Sequence, residues 1–149
     1  MSWLKAMMEK EPPEPENPIG IVVIGNLEGD RVHKNAKDMV RRSLMKAQFK
    51  TVDLGIGVPA DVFASKAKDL NADIVAVSIN TSPARDNLPK LFSAIKAAGL
   101  SGKVTVMIGG AAVDKEDADR ICAVYGKTKG EAVALAKEAM EAKKLKVLS

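Results

Sequence analysis

From Ile19 onward the chain alternates short, continuously apolar, β-branched runs with segments of helical spacing, and few architectures accept that alternation. Ile19-Gly20-Ile21-Val22-Val23-Ile24-Gly25 is the first run, apolar on both sides as expected of a strand covered on both faces. The next segment places Met39, Val40, Leu44 and Ala47 on one side and turns Lys37, Arg41, Arg42 and Lys46 elsewhere, which is helical spacing. Residues 51–55 read as a second strand, and Pro59 opens a helix through Val62, Phe63, Ala67 and Leu70. Residues 73–78 form the third strand, and 84–98 a helix carrying Leu88, Leu91, Phe92 and Ile95, ended by Gly99. Residues 103–108 form the fourth strand, which stops at Gly109-Gly110. Asp114 caps a short helix, residues 122–125 make a brief fifth strand, and residues 128–144 form the last helix.

Strands separated by helices require right-handed crossovers and a parallel sheet covered on both faces. For five strands in one domain the expected order is 2-1-3-4-5, the flavodoxin-like arrangement. Such sheets bind ligands at the carboxyl ends of the strands, where the order reverses between strands one and three. The domain is expected over residues 19–149. Residues 1–18 stand apart, because Glu11-Pro12-Pro13-Glu14-Pro15-Glu16-Asn17-Pro18 lacks backbone donors and favours extended structure. They read as an arm or linker, with Trp3 free to dock on a partner or on the domain itself.

Composition narrows the function. Aromatic residues are 3% of the chain, too few for a platform that stacks single-stranded nucleic acid, and the net charge of +4 is dispersed rather than gathered in runs. The single Cys122 excludes a disulfide framework and any Cys-rich metal cluster within one chain. No stretch approaches the roughly 18 apolar residues of a membrane span, and the N-terminus has no apolar signal core, so a reducing, cytoplasmic setting is expected.

The loops at the carboxyl edge exclude several tenants of this fold. A phosphoacceptor receiver needs an aspartate at the end of strand three, where Ser78 stands. A flavodoxin needs a hydroxyl-rich phosphate loop after strand one, but in this chain that loop is long and charged. No dinucleotide fingerprint or P-loop follows a strand. What remains is the chain's single histidine, His33, at the mouth of the switch-point crevice, with Asp30 three residues upstream. A carboxylate on one ring nitrogen fixes the tautomer and raises the basicity of the other, which suits a transition-metal ligand. Ser78, Thr81 and Ser82 stand opposite, beside Gly109-Gly110, where backbone can lie against a bulky ligand. Taken singly, a loop histidine is more often a solvated cap, a strand-end serine is common, and Gly-Gly is usually a turn.

Together these blocks are recognisable. Gly29-Asp30-Arg31-Val32-His33-Lys34-Asn35-Ala36-Lys37, Val52-Asp53-Leu54-Gly55-Ile56-Gly57-Val58-Pro59, Ala72-Asp73-Ile74-Val75-Ala76-Val77-Ser78 and Val106-Met107-Ile108-Gly109-Gly110-Ala111 resemble the cobalamin (B12)-binding domain family over roughly residues 19–140. The likeness is to the small corrinoid proteins that serve methyltransferases. It implies that His33 displaces the cofactor's own benzimidazole from cobalt, and that the nucleotide tail drops into a tunnel between strands one and three. Ser78 would contact the tail base, Gly109 and Gly110 would let the tail pass, and Tyr125 and Gly126 would lie along the tunnel. Asp30, Lys34, Asn35, Ala36, Asn80, Thr81 and Ala111 complete the implied binding set.

The chain also departs from the family pattern. Asp-x-His has become Asp30-Arg31-Val32-His33; the extra residue either bulges out and lets Asp30 reach the imidazole, or breaks that hydrogen bond and leaves the cofactor bound with its own base. The family glycine is Ala36, and Ser-x-Leu is Ser78-Ile79-Asn80. The resemblance implies a methyl carrier for partner methyltransferases rather than an enzyme on its own. Such carriers usually have an N-terminal helical bundle, for which eighteen residues are too few, so a small subunit of an adenosylcobalamin mutase is the alternative. A non-catalytic B12-binding or interaction module is a third reading. The basic side of the first helix reads as a solvated face or a partner-steering surface, and Cys122 as a buried structural thiol.

Overall fold

The computed structural model describes residues 11–148. Five strands form one parallel sheet, β1 (Ile21–Leu27), β2 (Lys50–Val58), β3 (Ile74–Ser78), β4 (Thr105–Gly109) and β5 (Val124–Tyr125), in the order β2-β1-β3-β4-β5. Helices α1 (Lys34–Lys46), α2 (Ala60–Asp69), α3 (Ser82–Arg85), α4 (Leu88–Ala97), α5 (Lys115–Arg120) and α6 (Lys129–Leu148) connect and follow them. The order expected from the alternation is observed, with the switch point between β1 and β3.

The pleat of β1 shows why its run is apolar on both sides. Val22 and Ile24 pack with Leu44, Phe49, Met107 and Ala136 under α1 and α6, while Val23 and Leu27 pack with Phe63, Val75, Leu91 and Ile108 under α2 and α4. Phe49 and Phe63 are fully buried on opposite faces. Burial of side chains this size stabilises by roughly 1.5–3 kcal/mol each.

Local chemistry sets the element ends. Pro59 caps α2 from extended backbone. Asp114 and Asp117 form a reciprocal capping box at α5, each side chain accepting the other's backbone N–H at 3.0 and 3.1 Å. The helix expected over 84–98 is interrupted: α3 ends at Arg85 and α4 starts at Leu88. Pro89, in the first turn of α4, has no N–H to give the Arg85 carbonyl four residues back and its ring crowds that carbonyl, so one continuous helix cannot run through it. Of the expected fifth strand only Val124–Tyr125 pairs, and Cys122 precedes it at φ +57° with its side chain exposed, so the reading of a buried structural thiol is corrected.

The basic side of α1 is also not a simple solvated face. Lys37 is 4% exposed and pairs with Asp53 of β2 at 2.6 Å and with Asp38 at 2.9 Å. Arg41 joins the same carboxylates and forks onto Glu11, so the proline-rich segment is tied to α1. Trp3 lies outside the described residues.

Candidate functional site

The loop after β1 is organised around one buried carboxylate. Asp30 is 1% exposed, and every hydrogen bond it receives comes from an N–H donor. Its Oδ1 accepts from the backbone N–H groups of Val32 and His33, both at 3.1 Å, and lies 2.9 Å from His33 Nδ1. Its Oδ2 accepts from Asn26 Nδ2 at 3.2 Å and Asn80 Nδ2 at 3.1 Å. Arg31 and Val32 are the residues that loop out: both are exposed, and Arg31 lies over Gly57. The two-residue spacing therefore keeps the aspartate–imidazole contact. Burial alone pushes the Asp30 carboxyl up, but the hydrogen bonds from His33, Val32 and Asn80 outweigh it and hold the group at about 2.

His33 occupies the N-cap of α1 without capping it through its side chain. Its ring is half exposed, and with Nδ1 donating to Asp30 the lone pair resides on Nε2. Among the described residues no group of three or more His, Cys, Asp or Glu converges. A metal held by His33 must therefore bring most of its own ligands.

A cavity of about 390 Å³ opens between α1, whose N-cap is His33, the sheet and the segment from Gly126 to Lys129. Ile24, Ala76 and Met107 form its floor, Ala36, Met39 and Val40 of α1 one wall, and Ala132 of α6 the other. Ser78, Gly109 and Gly110 lie at the strand ends. A side chain at Gly109 would meet the carbonyl oxygen of Gly126 at 2.6 Å, and one at Gly110, whose φ is +120°, would meet that of Ile79 at 2.2 Å. The pair is thus required by the chain's own close packing, which keeps the passage beside it free of side chains.

The structure gathers Ala36, Ser78, Gly109, Gly110 and Gly126 on this cavity, and links Asp30, His33, Asn80 and Ser78 by hydrogen bonds. The amide at Asn80, where the family has leucine, joins the two groups: Nδ2 donates to Ser78 Oγ at 2.9 Å and Oδ1 accepts from Ala111 N at 3.2 Å. Thr81 caps α3 and donates to Gly29 O, tying two loops together. Lys34 and Asn35 are exposed in the first turn of α1. Tyr125 packs against the core cluster of the opposite face and does not reach the cavity. Sequence reasoning missed Asn26, fully buried near the end of β1 opposite Ser78, whose Oδ1 has no partner. A polar residue closing an apolar run was its only signal. It also missed the cavity's apolar walls.

Fold and site together define a class: a flavodoxin-like ligand-binding domain, with a carboxylate-held histidine at the switch point and a long apolar cavity beside it. The chain belongs to the B12-binding domain family, whose model matches residues 20–136, and its cofactor is cobalamin. It is 38% identical over 138 residues to trimethylamine corrinoid protein 1 of Methanosarcina mazei, covering 92% of this chain and 63% of that protein. It thus spans less than two thirds of that relative. A cobalamin-binding protein from Desulfitobacterium hafniense superposes with a TM-score of 0.76 at 29% identity, over 80% of this chain and 58% of the other. In the methanol:cobalamin methyltransferase complex of Methanosarcina barkeri, one chain shares the fold with a TM-score of 0.78 at 21% identity, over 84% of this chain and 48% of that one.

The site suits the cofactor chemically. A single imidazole nitrogen is what a cobalt ion already held in a macrocycle lacks on one face, and the apolar cavity matches an aromatic tail. No helix among the described residues is long and apolar enough to cross a membrane.

Proposed function

We propose that this domain is the cofactor-bearing part of a methyl carrier, holding cobalamin for partner methyltransferases. The observation that carries the reading is the 2.9 Å contact between His33 Nδ1 and buried Asp30, which leaves the Nε2 lone pair free at the N-cap of α1, the helix that walls the cavity. In this reading His33 would hold cobalt through Nε2. Asp30 fixes its tautomer, and Asn26 and Asn80 fix Asp30. The nucleotide tail enters the cavity past Ser78, Gly109, Gly110 and Gly126, with Ala36, Lys34 and Asn35 beside the opening and Thr81 and Ala111 shaping the loops.

Bound cobalamin supplies a cobalt centre that accepts and releases a methyl group, while the protein supplies orientation and axial tuning. The half-exposed ring of His33 holds the cofactor at the surface, within reach of partner active sites. The similarity to a trimethylamine corrinoid protein supports the carrier over the mutase subunit. A reducing cytoplasm suits the exposed thiol of Cys122. Residues 11–18 serve as an arm laid on α1 through Glu11 and Arg41.

The test is reconstitution with hydroxocobalamin followed by gel filtration. Colour should travel with the protein, and His33→Ala should shift its visible spectrum. Protein emerging colourless contradicts cofactor binding, and an unchanged spectrum in the variant contradicts ligation by His33.

A further inference from the structure

Two cations of α1 converge on the same two oxygens. Lys37 Nζ lies 2.9 Å from Asp38 Oδ1 and 2.6 Å from Asp53 Oδ2, while Arg41 Nε stands farther from both, at 3.4 and 3.6 Å. Arg41 stands off because its guanidinium is forked onto Glu11: Nη1 donates to Oε2 at 2.6 Å and Nη2 to Oε1. The Arg41 side chain is only 14% exposed, so water is poorly placed to replace that carboxylate. Lys37 is more enclosed, and it lines the cavity beside Ala36 and Val40. A continuous run of charge contacts therefore leads from Glu11, through Arg41 and the two aspartates, to the cavity wall.

We propose that Glu11 and Arg41 are positioning residues for the cofactor cavity, acting through Lys37: residues 11–18 form a strap whose closure keeps the lysine ammonium out of the cavity. The proposal rests on the reading that the tail of cobalamin occupies that cavity. With the strap closed, Glu11 satisfies Arg41 and leaves Asp38 and Asp53 to Lys37. With the strap open, the guanidinium loses its carboxylate and turns to the two aspartates it already borders. A guanidinium engages two carboxylate oxygens at once, whereas an ammonium is a compact point charge on a flexible stem, so Arg41 prevails in that exchange. The stem of Lys37 already walls the cavity, and the displaced ammonium enters the open space beside it. There it faces Ile24, Val40, Ala76 and Met107, none of which can pair it, and it occupies room that an aromatic base requires. Strap closure and tail binding thus favour each other, and by linkage each strengthens the other by the same factor.

The experiment titrates the cofactor-free full chain with cobalamin, by absorbance and equilibrium dialysis, in wild type, Glu11→Gln, Lys37→Met and the double variant. Glu11→Gln breaks the fork at an exposed position and should weaken cobalamin about three- to tenfold. Lys37→Met keeps the stem and removes the ammonium, so in that background Glu11→Gln should change the affinity by less than about twofold. Cleavage after Glu16 by a glutamyl endopeptidase, followed by mass, gives the reciprocal measurement: saturating cobalamin should slow it in wild type by the factor that Glu11→Gln removes from the affinity. Equal cobalamin affinities in wild type and Glu11→Gln overturn the inference and leave the cavity reading standing. A Glu11→Gln loss that persists at full size in the Lys37→Met background overturns the route through Lys37. If Lys37→Met does not fold by circular dichroism, the cleavage assay decides, and a rate that cobalamin leaves unchanged overturns the inference. Binding of cobalamin to none of the proteins overturns the cavity reading itself.

Discussion

Replacing Asp30 by Asn changes one atom type and should cost the cofactor-free protein about 2–4 kcal/mol at pH 7. All the groups bonded to this carboxylate are N–H donors: Val32 N, His33 N and the imidazole on Oδ1, Asn26 and Asn80 on Oδ2. An amide must direct its own NH₂ at one of these two sets. Facing Oδ2's partners, it orphans the amide of Asn26, which is fully buried, and an unpaired buried donor costs about 1–3 kcal/mol. The charge adds its share. Burial raises the Asp30 carboxyl and the hydrogen bonds hold it at about 2, against 3.8 for the free side chain. That difference corresponds to about 2 kcal/mol of stability present above pH 4 and lost as pH falls toward 2. The sign follows from a folded-state value below the unfolded one. Urea unfolding at pH 7, 4 and 2.5 gives the wild type minus Asp30→Asn difference directly, and other acid-sensitive carboxylates cancel from it. The gap should be widest at pH 7 and shrink by about 2 kcal/mol at the acid end. A variant within about 0.5 kcal/mol of wild type at pH 7, or a gap that does not change with pH, refutes the reasoning.

Other substitutions separate fold from site. Gly109→Ala places a methyl 2.6 Å from the Gly126 carbonyl oxygen, so the 126–128 segment must shift; thermal melts should show a loss of about 1–3 kcal/mol, together with weaker cobalamin retention. Phe63→Ala, buried on the face away from the cavity, should cost about 3–5 kcal/mol in denaturant while the folded fraction keeps its cobalamin affinity. Arg41→Ala removes the fork that holds Glu11, and cleavage after Glu16 by a glutamyl endopeptidase should accelerate while stability falls by about 1 kcal/mol or less.

The fold was legible because each strand is an apolar run that both faces of the sheet demand. Val22 and Ile24 serve one core and Val23 and Leu27 the other, so neither face could be polar. The helix break at Asp86 and Asn87 was missed because Ala84, Leu88, Leu91 and Ile95 keep helical spacing across it, although Pro89 marks it. His33, Asp30, Ser78 and the glycine pair were legible as loop residues at strand ends. The fate of the extra residue was not, since a bulge and a lost hydrogen bond have the same sequence; the buried setting of Asp30 and its amide donors from the ends of two separate strands decide it. The cavity walls were not legible either, because Val40, Met107 and Ala132 come from distant segments and each scans as ordinary core. Lys37 and Arg41 scan as a solvated face because their partner Asp53 lies on the edge strand, sixteen residues beyond Lys37.

The most direct test of cobalt ligation is electron paramagnetic resonance of the protein loaded with unlabelled cobalamin and reduced to Co(II), prepared once from natural-abundance protein and once from protein labelled with ¹⁵N at histidine. Ligation by His33, the only histidine in the chain, converts the nitrogen superhyperfine triplet into a doublet in the labelled sample. A triplet that persists shows that the cofactor's own base stays on cobalt, and it would contradict a cobalt-binding role for the Asp30–His33 pair.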